Sequence, residues 1–195
     1  MRIALVNNRT DHLQELLELL DDYEVAILNP DDLASFTPEP DQVVILSGGH
    51  LHAVALSPNY YQAEIDLVRR TTQPVIGICL GFQILVYAYG GELLELPEKV
   101  MQLTTIYPTE TFPVFAGQHT LEIIERHRWV AKVLPLELVP LATSFDGYEV
   151  VQHRDKLQFG LQFHPEIAEP TNDGAYFFFN LLKICSDQLA RQTNS

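Results

Sequence analysis

A chain of 195 residues, 47% of them hydrophobic and 19% charged, carries enough apolar material for one well-filled core but is short for two domains. Its 12 Lys and Arg stand against 26 Asp and Glu, and the resulting formal charge of −14 excludes nucleic acid and anionic membrane surfaces as natural partners. No apolar run reaches the roughly 18 residues that span a bilayer, and Cys79 and Cys185 show neither a disulfide framework nor metal-ligand spacing, so a cytoplasmic protein with no metal or other cofactor is expected.

Ile3 to Asn7 reads as the first strand, and leucines at 13, 16, 17 and 20 place an amphipathic helix over His12 to Leu20. Glu24 to Leu28 is a second strand, followed by a proline- and acid-rich connection from Asn29 to Pro40. Gln42 to Leu46 is almost wholly apolar and therefore central in a sheet, and it stops at Ser47-Gly48-Gly49. Pro58 to Arg70 puts Tyr61, Ile65 and Val68 on one helical face, and Pro74 to Ile78 forms the next strand. A helix running through Ile84 to Tyr89 ends at Gly90-Gly91. From Glu92 to about Val151 short alternating pieces broken by prolines and glycines predict hairpins that extend the sheet antiparallel. Leu157 to Phe163 is a last strand with Phe159, Leu161 and Phe163 on one face, and a final helix over about Asp173 to Gln192 packs Tyr176, Phe177, Phe179, Leu181, Leu182 and Cys185. No repeat or linker divides the chain, so residues 1–195 read as one α/β domain.

Chemistry concentrates in three places. Cys79 lies between Gly77 and Gly81 where a strand gives way to a helix, a sharp turn that lifts a nucleophile above the sheet edge and sets its sulfur against unpaired N–H groups and the positive end of a helix dipole. A cysteine at a random position is more often a buried packing residue, and the two flanking glycines reverse that expectation. His164 ends the last strand, with Pro165 stopping the ladder and Glu166 two residues on able to fix the imidazole tautomer, which makes Cys79, His164 and Glu166 a candidate catalytic triad. Ser47-Gly48-Gly49 offers backbone donors at a third strand end, so the N–H groups of Gly49 and Leu80 are the candidate oxyanion hole.

Together Ser47-Gly48-Gly49, Gly77-Ile78-Cys79-Leu80-Gly81-Phe82-Gln83 and Gln162-Phe163-His164-Pro165-Glu166 resemble the class I, or triad, glutamine amidotransferases in order and spacing over nearly the whole chain. The resemblance implies a flavodoxin-like three-layer α/β/α fold with a mostly parallel central sheet and an antiparallel β extension. It implies hydrolysis of the glutamine side-chain amide and delivery of ammonia to a synthase partner, of GMP-synthase-like or anthranilate-synthase-like type. It sets the Arg126-His127-Arg128-Trp129 stretch over the glutamine site and assigns glutamine binding to Gly48, Gln83, His127, Arg128 and Trp129. The length favours a freestanding glutaminase subunit. The chain departs from the family's common pattern at His50-Leu51-His52 after the glycine loop, at Phe82 and at Arg128-Trp129. Two other readings remain open: a γ-glutamyl peptide hydrolase with the same triad, and a non-catalytic member acting as a binding or regulatory module. A synthase-docking patch is expected near the triad, rimmed by Trp129, Phe145, His50 and His52.

Overall fold

The computed structural model describes residues 1–109 and 112–193; Glu110 and Thr111, within the predicted hairpin region, lie outside the described residues. Five parallel strands start the sheet: β1 (Arg2–Val6), β2 (Val25–Leu28), β3 (Gln42–Leu46), β4 (Val75–Ile78) and β9 (Gln158–Leu161). Four more continue it antiparallel: β5 (Glu92–Pro108), β6 (Leu121–Val133), β7 (Leu138–Thr143) and β8 (Tyr148–His153). All nine form one sheet in the order β2-β1-β3-β4-β9-β8-β7-β5-β6.

The alternation of side chains along a strand explains how this sheet is covered on both faces. In β1, Ile3 and Leu5 enter one core while Ala4 and Val6 enter the other, and in β3 Val43 and Ile45 oppose Val44 and Leu46 in the same way. Helices α1 (Leu13–Leu19) and α4 (Gly174–Thr193) close the first core through Leu16, Phe177, Phe178, Leu181 and Leu182. Helices α2 (Gln62–Arg70) and α3 (Leu80–Ala88) close the second through Ile65, Val68, Phe82 and Leu85. The apolar β3 is fully buried between β1 and β4, as its composition predicts.

Two expectations need correction. The sheet is mixed, not mostly parallel: four of its strand pairings are parallel and four antiparallel. The antiparallel half is larger than the short pieces predicted because β5 and β6 run 17 and 13 residues, whereas no parallel strand exceeds 5. In α4 the core face carries Phe177, Phe178, Leu181, Leu182, Cys185 and Leu189, while Tyr176 and Phe179 are exposed on the opposite side. Helical spacing puts residues 177, 178, 181, 182 and 185 on one stripe, and positions 176 and 179 fall outside it. Among the described residues, no helix is long and apolar enough to cross a membrane.

Candidate active site

The carboxyl ends of the parallel strands meet at one edge of the sheet, where α/β folds gather their functional groups. β4 ends at Ile78, and Cys79 follows with φ 49° and ψ −95°, a conformation that L-residues with a Cβ avoid. The turn is held from both sides: Cys79 N–H donates to Leu161 O at 2.7 Å, and Gln83 N–H donates to Cys79 O at 3.1 Å. The flanking glycines are required by close approach. A Cβ on Gly77 would lie 2.4 Å from the carbonyl carbon of Gly81, and one on Gly81 would lie 2.3 Å from Leu46 O. Helix and strand therefore pack backbone to backbone, and Cys79 is left at the N-cap of α3 with Leu80 as the first helical residue. The N–H of a first helical residue has no partner within its helix.

β3 delivers the glycine loop to the same place. Asn8, just beyond β1, ties it down: its N–H donates to Ser47 Oγ at 2.9 Å and its Nδ2 donates to Ser47 O at 3.2 Å. A Cβ on Gly48 would sit 3.1 Å from His164 Cε1 and 3.8 Å from Cys79 Cβ. On Gly49 it would meet Asn8 O at 2.3 Å and Leu80 Cδ2 at 2.8 Å. The glycine loop thus lies against the side chains of both Cys79 and His164, and Gly49 lies against the side chain of Leu80.

His164 follows β9, and its N–H donates to Ile124 O at 2.9 Å. The ring lies 2.7 Å from Glu166 Oε1 through Nδ1, which leaves Nε2 as the nitrogen available to Cys79, whose thiol donates to Arg126 O at 3.9 Å. Burial by itself pulls the imidazole pKa down, but the neighbouring Cys79 and the Glu166 carboxylate outweigh it and raise it to about 10. At neutral pH His164 therefore holds a proton. Gln162, two residues earlier, brings its Nε2 to 4.0 Å from Cys79 Sγ.

Beside the triad, a cleft of about 260 Å³ runs from Gly49, Cys79 and Leu80 to Gln83, Arg128 and Trp129. Gln83 is anchored by donating from Nε2 to Trp129 O at 3.1 Å. Arg128 also lines this space but is paired at 2.9 Å with Glu95. His127 borders the cleft, yet its side chain is fully buried 3.5 Å from Glu125, and Glu149 of β8 completes that cluster. Burial raises the Glu149 pKa well above the usual carboxylate range, and the nearby Glu125 charge raises it further. Burial also disfavours the Glu125 charge, but His127 and the Thr104 hydroxyl more than compensate and lower its pKa.

Several residues that line this region are not marked by any motif: Thr10, Asp11 and His12 from the β1–α1 connection and Lys99 and Met101 from β5; Arg126 from β6, the first residue of the stretch expected over the glutamine site, lines it with them. The His12 and His164 rings are 5.7 Å apart, and Arg126 Nη1 lies 3.4 Å from His12 Nε2. His50 and His52 border the cleft as expected, and Phe145 is fully exposed in the β7–β8 turn. A strand carrying Lys99 is unremarkable in sequence, because only the tertiary arrangement brings it to Cys79.

The family model of glutamine amidotransferase class-I matches residues 7–184. The chain belongs to this family. A glutamine-hydrolyzing GMP synthase subunit from Methanothermobacter thermautotrophicus is 27% identical over 192 residues, covering 94% of this chain and 97% of that protein. The protein of the same description from Methanocaldococcus jannaschii is 32% identical over 146 residues, 73% of each chain. A crystal structure from Thermoplasma acidophilum, assigned to the same subunit of GMP synthase, shares the fold with a TM-score of 0.86 at 21% identity, covering 99% of this chain and 98% of that one. The span matched by the family model contains this amidotransferase's glycine loop, elbow and His-Pro-Glu segment.

Proposed function

We propose that this amidotransferase hydrolyses the side-chain amide of glutamine at Cys79 and passes the ammonia to a separate synthase chain, with GMP synthase as the partner type. The observation that carries the chemistry is the contact of the Cys79 elbow, the His164–Glu166 pair and the Gly48-Gly49 loop at one sheet edge. Its relatives are glutamine-hydrolyzing subunits of GMP synthase, matched over nearly their full length, which favours the GMP synthase pairing over an anthranilate-synthase-like one. A single domain over residues 1–195, cytoplasmic and working without a cofactor, fits this role.

The reaction runs as two acyl transfers. Cys79 Sγ attacks the amide carbon of glutamine, and the oxyanion that forms is met by the N–H groups of Gly49 and Leu80. His164 gives its Nε2 proton to the departing nitrogen as the C–N bond breaks, so ammonia leaves and a γ-glutamyl thioester remains. Thioester formation removes the Cys79 interaction that helps raise the proton affinity of His164. Burial then lowers its proton affinity against Glu166 alone, and the ring becomes a base for water. That water attacks the thioester, Nε2 returns the proton to sulfur, and glutamate departs. The switch from acid to base thus follows from whether the Cys79 sulfur is free or acylated.

The test is release of glutamate and ammonia in the presence of the synthase partner. Cys79→Ala is expected to lower turnover by at least ~10³-fold. Unchanged turnover in that variant would refute the assignment, and preferred cleavage of γ-glutamyl peptides over glutamine would move it to the hydrolase reading.

A further inference from the structure

The space around Cys79 has two lobes that share Gly49, His50, Cys79, Lys99 and Arg126. One contains His164, His12 and Asp11; the other contains Leu80, Gln83 and Trp129. If His164 protonates the leaving nitrogen, ammonia departs into the first lobe, and the rest of the substrate extends from the thioester carbon into the second. That inference rests on the glutaminase reading, and it fixes which surroundings the amino-acid end of the substrate meets.

Those surroundings are unusual for this chain. Although acids outnumber bases 26 to 12, the Gln83–Trp129 lobe is lined by Lys99, Arg126 and Arg128 and by no Asp or Glu among the described residues. Arg128 is partly neutralised by Glu95 at 2.9 Å. Among the described residues, neither Lys99 nor Arg126 has a carboxylate within ion-pair distance; Arg126 contacts the imidazole of His12, and its charge also acts on Glu15 at the start of α1. Lys99 comes to this place through a register shift: β5 and β6 pair at Glu95 with Trp129 and again at Val100 with His127, so the residues between them bulge out opposite Arg128. Bulges beside active sites re-aim side chains, and Pro97, which has no N–H for the ladder, sits in this one.

We propose that Lys99 and Arg126 form the recognition site for the α-carboxylate of the amide substrate. They make a free carboxylate, and not the α-ammonium, the charged group on which selection depends. A cationic lobe without acids attracts the carboxylate and gives the ammonium no counter-charge, so the amino group is directed towards the open mouth of the cleft.

The experiment separates binding from catalysis. Binding of L-glutamine to the Cys79→Ala chain is measured by calorimetry, alone and with Lys99→Met, Arg126→Met or Arg126→Lys added; folding of each variant is checked by thermal melting. Loss of a charge-assisted hydrogen bond is expected to weaken glutamine binding roughly 10- to 100-fold in each Met variant, with part of the loss restored in Arg126→Lys. L-glutamine α-methyl ester is expected to bind more weakly than glutamine and to be insensitive to both Met substitutions. The deaminated analogue, glutaramate, is expected to bind better than the ester. Equal affinity for glutamine in the Met variants, an ester that binds as well as glutamine, or no glutamine binding by the folded Cys79→Ala chain overturns the proposal. Wild-type turnover that persists in Cys79→Ala would instead overturn the glutaminase reading.

Discussion

Gly48 faces the imidazole of His164 so closely that a methyl group on its α-carbon would lie 3.1 Å from His164 Cε1. On the proposed mechanism the glycine loop therefore sets the position of the general acid as well as supplying donors. Gly48→Ala is expected to shift the ring by a few tenths of an ångström and lower kcat by about 10-fold, given that a 1 Å misplacement costs ~10²-fold. Gly49→Ala meets the rigid backbone oxygen of Asn8 at 2.3 Å and is expected to move the oxyanion donor, with a kcat loss of ~10²- to 10³-fold. Steady-state glutaminase kinetics check both, and a Gly49→Ala enzyme with wild-type kcat would remove this loop from the mechanism.

The strained turn at Cys79 makes a stability prediction independent of catalysis. At φ 49° and ψ −95° a Cβ is crowded by the backbone, a cost that glycine avoids. Cys79→Gly and Cys79→Ala are both expected to abolish turnover, and the glycine variant is expected to be the more stable by about 1–2 kcal/mol. This reverses the usual order, in which glycine in regular structure costs roughly 0.5–1 kcal/mol relative to alanine. Denaturant unfolding of the two variants measures the difference, and an alanine variant as stable as the glycine one would mean that the turn is relaxed.

Glu64 on α2 is fully buried and neither of its carboxylate oxygens has a hydrogen-bond partner among the described residues. Burial raises its pKa from 4.5 to about 7. Because the folded value is the higher one, this carboxyl favours the fold most below pH 4.5 and loses that contribution as pH rises through about 7. Glu64→Gln is therefore expected to stabilise the chain by about 2–3 kcal/mol at pH 8 and to change little at pH 4. Unfolding free energies at the two pH values test it, and a destabilised Gln variant at pH 8 would show a partner for the charge.

His164 has the same sign for a different reason. Its raised pKa, about 10 against an ordinary 6.5, makes the protonated ring stabilising below pH 6.5, and the contribution disappears as pH rises through about 10. Wild type is expected to be more stable than His164→Gln at pH 7, with the gap narrowing as the pH is taken above about 10. A gap that does not change with pH would mean that His164 is neutral in the resting fold.

The elbow was legible in the sequence because two glycines around a cysteine leave few structural alternatives, and the backbone contacts of Gly77 and Gly81 supply the reason. The core stripes of β1, β3 and α1 were legible through their periods. The length of β5 was not, since prolines at 97 and 108 suggested breaks, whereas the strand accommodates Pro97 in a bulge and ends at Pro108. Tyr176 and Phe179 looked like core residues by type and are exposed by helical phase. Lys99 and Asn8 carry no local signal at all: each acquires its place from a pairing or a turn with a distant segment.

The most direct test is the intact mass of the chain after exposure to a chloroketone analogue of glutamine. Cys185 is a built-in control, because it is buried in α4 and burial pushes its thiol up to about 12, away from the reactive thiolate. A nucleophilic Cys79 predicts one adduct, located on that residue, prevented by excess glutamine and lost in Cys79→Ala. No adduct on Cys79, or one that excess glutamine does not block, would contradict it.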